Sequence, residues 1–300
     1  MKKPVILSTL NHKGGVGKTI LTFNLACYFE FIFKKNKLNK KILIIDNDPQ
    51  GSCSELLHTD FHNLKEEETL AEIYRPEANY TDKIIHKKEG YDKIYYVPSI
   101  HYIEFMKDIL PAKISGMLRL QKFILQHCQD FDIILIDSSP AFSILSKNAL
   151  FVTDYIIIPV IPDTFSVTGI KQIFTNIEQI REVNPLIDIL GLAINKVNDV
   201  KNNNKTMRYI MYRYFETDIL NSVIHEAAVI EESVSFRKAL LEVTKKERAH
   251  KQFLDLASEI LDKLGFNVKY DSKKAASWRN SEIEKLREEY IKKVGVDLEV

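Results

Sequence analysis

The chain has 300 residues, 45% of them hydrophobic and 28% charged, and a formal net charge of +1. That balance excludes a disordered chain and a polybasic or polyacidic one, so any attraction to nucleic acid has to come from a local patch. The length suits one α/β core of about 260 residues with a tail, and Cys27, Cys53 and Cys128 have neither the number nor the spacing of a disulfide or metal framework.

In chain order, the opening run Val5-Ile6-Leu7 is too short for a signal peptide and reads as the first strand. Lys13-Gly14-Gly15-Val16-Gly17-Lys18-Thr19 follows it, and Leu21, Phe23, Leu25 and Ala26 then recur at helical spacing. Strand, glycine loop and helix in that order are the context a P-loop requires; a glycine turn before an ordinary helix is the alternative. Glycines let successive backbone N–H groups curl toward one phosphate, and the helix start adds positive potential. Gly14, Gly15, Val16, Gly17, Lys18, Thr19 and Ile20 are therefore the expected nucleotide cradle. Lys18 would lie along the β- and γ-phosphates of a nucleoside triphosphate, and the Thr19 hydroxyl would ligate Mg²⁺.

The lysine-rich stretch from Lys34 to Lys41 reads as a charged surface connection. Ile42–Ile45 is a buried parallel strand that ends in Asp46, with Asp48 two residues on. Polar sequence between Cys53 and Tyr91, including Glu66-Glu67-Glu68, predicts mainly solvated helix. Further strands are predicted at Tyr95–Val97, at Ile133–Ile136 ending in Asp137, at Ile156–Val160, and before Asn195. No apolar segment approaches the ~18 residues of a membrane span.

Taken together, KGGVGKT at Lys13–Thr19, DNDPQGS at Asp46–Ser52 and the apolar strand ending Asp137-Ser138-Ser139-Pro140 resemble the ParA/MinD family of deviant Walker ATPases. The resemblance covers roughly residues 4 to 264. It implies an α/β P-loop fold, a mostly parallel twisted sheet with helices on both faces, and Mg²⁺-dependent ATP hydrolysis that is slow unaided. By that resemblance Lys13 reaches across a homodimer to the partner's nucleotide, Asp48 positions the attacking water, Asp137 holds Mg²⁺ through a water, and Asp46 is structural. Asn195 falls where relatives often contact adenine, a loop cap being the alternative. The sequence departs at Ile20, which removes a hydroxyl from the cradle, and at Ser139, where loss of a proline loosens the turn. It also departs at His225-Glu226, shortly after the strand the resemblance implies at Asn221–Ile224, where DNA-binding relatives carry an arginine. An iron-protein branch is excluded because no cysteine follows Cys128.

Two basic stretches stand out. Lys201 to Arg213 interleaves Lys201, Lys205, Arg208 and Arg213 with tyrosines. Arg237 to Lys251 gathers Arg237, Lys238, Lys245, Lys246, Arg248 and Lys251. Such clusters neutralise phosphates without reading bases, and the second is the better candidate for DNA. Beyond an ATPase domain at 1–266, an extension at 267–300 has Ile283, Leu286, Tyr290, Ile291 and Val294 on one helical face. Its near-neutral charge suits packing on its own domain or a partner and not a membrane. The expected function is a cytoplasmic, nucleoid-associated partitioning ATPase: an ATP-bound homodimer on non-specific DNA, released when a ParB-like activator stimulates hydrolysis. The alternatives are a MinD-like or cargo-positioning ATPase on a membrane or other scaffold, and a nucleotide-gated regulatory module with little turnover.

Overall fold

The computed structural model describes residues 3–75, 82–105, 114–245 and 247–298. Within them β1 (Val5–Thr9), β2 (Ile42–Asn47), β3 (His86–Lys87), β4 (Ile94–Val97), β5 (Ile133–Ser138), β6 (Tyr155–Val160) and β7 (Asp188–Ile194) form one sheet. Their order is β3-β4-β2-β5-β1-β6-β7. Every neighbouring pair is parallel except β3 with β4.

The apolar runs are continuous because both faces of the sheet are covered, and alternate residues serve opposite layers. Leu7, Ile44 and Leu135 face α1 (Lys18–Lys35), α2 (Ser52–Leu57) and α10 (Arg248–Lys263). Ile6, Ile45 and Ile136 face α3 (Leu70–Tyr74), α4 (Arg119–His127) and α5 (Ile144–Val152). Ile156, Ile158 and Leu192 extend that second layer under α6 (Ser166–Arg181) and α7 (Asn202–Tyr214). Helix α1 is buried all round from Leu21 to Glu30, not along one stripe, because α10 lies on its outer side.

Two expectations need correction. Helix is sparse between Cys53 and Tyr91: apart from α2 and α3, the described residues hold only 3₁₀ turns at Phe61–Asn63, Glu66–Glu68 and Asp82–Ile84, and the edge strand β3. Leu70, Ala71, Ile73 and Tyr74 cover a single turn, too few for a longer amphipathic helix. Gly90, at φ +79°, turns the chain back so that β3 pairs antiparallel with β4. Asn221–Ile224 forms no strand, and isolated bridges lie only on either side of it, at Ile219 with Leu192 and at His225 with Val197. The Glu259 carboxylate holds the backbone out of strand geometry there, since it accepts the successive N–H groups of Asn221 at 2.7 Å and Ser222 at 2.9 Å, which an extended strand would point to opposite sides.

After α8 (Ala228–Ser235) and α9 (Leu240–Val243), the extension forms α11 (Ser272–Val294). Asp271 caps it by accepting Lys274 N at 3.0 Å, and Gly295 ends it at φ +91°. Leu286 is buried against α7, with Ile283 and Tyr290 packed beside it. Glu289 pairs with Lys205 of α7, not with Lys293 of its own helix.

Candidate functional site

Parallel strands deliver their carboxyl ends to one edge, and the motif residues meet there. Register sets Thr9 beside Asp137 and Asp137 beside Asp46 across β1, β5 and β2. From the end of β1 the chain enters the glycine loop, where Gly15 and Gly17 adopt φ +73° and +94°. Gly17 is the residue preceding α1, and a Cβ there would stand 2.4 Å from Asn195 Nδ2, so a larger residue would strain the backbone and displace the Asn195 amide. Asn195 Nδ2 donates to Val16 O at 2.8 Å and its Oδ1 accepts from Lys196 N at 2.9 Å. This candidate adenine contact is thus engaged in pinning the glycine loop to the end of β7.

A cavity of about 670 Å³ opens over the loop, bordered by Gly14, Gly15, Gly17, Lys18, Thr19 and Asp48, within the range of small-ligand sites. Lys18 is 7% exposed and reaches back to Lys13 O at 3.3 Å. Burial pulls its pKa down while Asp137 and Asp48 oppose the shift, so an incoming polyanion would restore a charge the protein only partly balances. Ile20 also borders the cavity, at the place where a second hydroxyl is absent.

Thr19 Oγ1 donates to Asp137 Oδ2 at 2.7 Å, and the Thr9 and Thr22 hydroxyls approach Asp137 Oδ1 at 3.3 Å and 3.5 Å. Asp46 accepts from Ser54 N and Oγ at 2.7 Å and 2.6 Å, and from Asp48 N at 3.1 Å. Burial raises the pKa of both buried carboxyls, and their mutual repulsion adds to the rise at Asp46. Asp46 spends its oxygens holding the start of α2, whereas Asp48 borders the cavity and accepts from Gln50 N at 3.0 Å. Among the described residues, no group of three or more His, Cys, Asp or Glu could hold a metal. A divalent ion at Thr19 and Asp137 would therefore need phosphate oxygens and water to complete its shell, which suits Mg²⁺.

Lys13 stands apart from Lys18. Its side chain, 47% exposed, pairs with Asp163 in the loop after β6 and does not border the cavity. Burial opposes ionisation of Asp163, but hydrogen bonds from Lys13 and Ser166 outweigh it and hold the pKa low. Neither Asp163 nor His12 was singled out from sequence, although both lie at the carboxyl edge that β1 and β6 share. His12 is within hydrogen-bond distance of Pro140 O (3.1 Å) and Asn176 Nδ2 (2.8 Å), tying the loop to the turn after β5. That turn lacks the proline yet is braced, since Ser139 is buried and its hydroxyl donates to Ala141 O at 3.4 Å.

The Arg237–Lys251 cluster is divided by the fold. Arg237 borders the nucleotide cavity at φ +52° and donates to Glu55 Oε1 at 2.6 Å, so it faces the cleft mouth and not a common face with the others. Lys238 and Lys245 are exposed, Arg248 Nη2 lies 2.8 Å from His225 Nε2, and Lys246 lies outside the described residues. In the Lys201–Arg213 cluster Lys201 and Arg213 are exposed, but its centre is internal. Arg208, 3% exposed, sits between Asp199 at 3.0 Å and Glu282 of α11 at 2.7 Å, and Tyr209 donates to Asp297.

A family model described as an AAA domain (AAA_31) matches residues 4–189. The chain is 28% identical over 259 residues to the virulence plasmid ParA family protein pGP5-D of Chlamydia psittaci, across 86% of this chain and 95% of that protein. It is 25% identical over 256 residues to the sporulation initiation inhibitor protein Soj of Bacillus subtilis, across 85% and 97%. An ATP complex of McdA from Cyanothece superposes with a TM-score of 0.73 at 18% identity, covering 90% of this chain and 100% of that one; this likeness concerns the fold. No helix among the described residues is long and apolar enough to cross a membrane.

Proposed function

The chain belongs to the AAA domain family, in its ParA/MinD-like branch of partitioning and positioning ATPases, and on that premise we propose an ATP-driven dimer switch that partitions DNA. The observation that carries the reading is the division between the two loop lysines. Lys18 is buried over the chain's own cradle, while Lys13 is half-exposed and turned off the cavity. One cation thus serves the phosphates of its own subunit, and the other is free to exchange Asp163 for phosphates held by a second copy.

Each step falls to a residue already described. Backbone N–H groups of Gly14–Thr19 and the start of α1 receive the phosphates, with Lys18 neutralising them. Thr19 and Asp137 would hold Mg²⁺, which would supply neutralisation of phosphate charge. Asp48, at the cavity edge but outside the cradle, orients a water for in-line attack. As the water oxygen bonds to the γ-phosphorus, the bond to the bridging oxygen breaks, that oxygen leaves with ADP, and the water's proton passes to the phosphate product. Release of that phosphate takes away the anion that Lys13 contacts and lets the two subunits part. ATP-bound dimers would hold duplex DNA through lysine and arginine contacts to phosphate, and a ParB-like partner would accelerate the chemistry. A membrane-acting reading is less well supported, because α11 turns its central apolar residues inward onto α7.

Asp48→Ala tests the scheme by separating binding from chemistry. It leaves every expected phosphate contact in place, so dimer should accumulate with Mg-ATP while phosphate release falls by 10²-fold or more, on the order expected for a positioned base. Sedimentation showing only monomer with Mg-ATP would contradict the scheme.

A further inference from the structure

We propose that the cleft between α10 and the amino-terminal half of α11 receives the phosphate backbone of duplex DNA, so that the carboxy-terminal extension supplies part of the DNA-binding surface. The proposal rests on the DNA reading above and locates it. The cleft holds about 780 Å³ and is bordered by the end of α1, by Asn221–Val223, by α10, and by Lys269–Trp278 of the extension. Lys35, Arg248, Lys251, Lys269 and Lys274 line it, against the carboxylates of Asp255 and Asp271 alone.

Both acids are already committed. Asp271 caps α11, and Asp255 is a half-buried carboxyl that Lys251 and Lys274 offset. Lys35, Lys251, Lys269 and Lys274 form no ion pair among the described residues, although Lys35 lies 4.5 Å over the Phe31 ring. Elsewhere the chain pairs many of its cations, as at Lys13, Lys34, Lys40, Arg181 and Arg287. Five cations against two committed carboxylates on one concave strip make a poor structural device and a good track for phosphates.

The cleft also continues the surface on which DNA binding is expected, since Arg248 and Lys251 belong to both and Lys245 is exposed just before them. Trp278, the chain's single tryptophan, borders the cleft and is 46% exposed, which gives an aromatic face beside the charges. A bilayer fits less well. The surface is concave, and an interfacial helix needs a broad outward apolar face that α11 does not offer.

The test uses the full chain with Mg-ATP and a labelled duplex of arbitrary sequence, titrated at several salt concentrations. Lys269→Gln with Lys274→Gln, and the same pair changed to Glu, should weaken binding by about tenfold or more and lower the salt slope by about 2, one counterion per lost phosphate contact. ATP-dependent dimerisation should be unchanged, and Trp278 fluorescence in the parent should change in step with DNA binding. If the parent binds DNA only with ATP, while both variants match it in affinity and slope and Trp278 stays silent, the cleft is wrong and the DNA reading survives. If the parent ignores DNA but floats with phosphatidylglycerol vesicles, both readings fall.

Discussion

On α7, Arg208 is 3% exposed, held between Asp199 and Glu282; on α10, Arg248 and Lys251 stand at the rim of an open cleft. Both helices carry basic residues among aromatic ones. What separates them is the docking of the extension, which brings Glu282, Glu289 and Asp297 onto α7 but only the capping Asp271 to the cleft beside α10, where Arg248 reaches no acid nearer than Asp199 at 3.8 Å. A basic stretch becomes an internal strut when acids from a distant segment dock on it, and stays a surface for anions when they do not.

The largest expected effect that would break this comparison is at the strut. Arg208→Ala leaves Glu282, whose carboxyl burial already pushes up and Arg208 pulls back, without its partner. Losing one member of a buried pair costs about 3–5 kcal/mol, so urea denaturation should register a large loss, while Lys245→Ala should leave the midpoint essentially where it was. Equal, small effects in both variants would mean that the two clusters do not differ as described.

A smaller effect lies where the two regions meet, at His225. Its Nε2 is 3.0 Å from Asp199 Oδ2, Gln252 donates to its Nδ1 at 2.7 Å, and Arg248 and Arg208 face it as cations. Burial first, and then Arg248, depress its pKa below the usual 6.5, with Asp199 opposing. The unfolded chain therefore binds the proton more readily than the folded one. The stability His225 contributes is complete above pH 6.5 and is lost as pH falls from there through the folded pKa. His225→Gln should flatten this part of the stability profile, by less than the Arg208→Ala loss. An unchanged slope between pH 7 and 5 would remove His225 from the account.

Legibility followed the range of the interactions. The glycine loop, Asp137 and the parallel strands were readable because the phosphate cradle and its strand–loop–helix context are local in sequence. The resemblance set Asp46 apart from Asp48 as a structural group, and in the fold Asp46 binds Ser54 while Asp48 borders the cavity. What could not be read were pairings across long separations: Lys13 with Asp163, Arg237 with Glu55, Glu259 with Asn221 and Ser222, and Arg208 with Glu282. Glu259 shows the cost, because one buried carboxylate far along the chain holds Asn221 and Ser222 out of the strand expected there. Arg237 read as part of a DNA cluster only because its spacing to Lys238 concealed that the backbone turns at φ +52° and faces it to the nucleotide cavity.

The central claim is that Lys18 serves the nucleotide of its own subunit and Lys13 that of the other. Sedimentation velocity of Lys13→Ala with Mg-ATP, beside nucleotide binding measured on the same sample, tests it most directly. The account predicts that Lys13→Ala retains nucleotide, unlike Lys18→Ala, but sediments as monomer where the parent forms a dimer. A Lys13→Ala protein that dimerises with ATP as the parent does would contradict it.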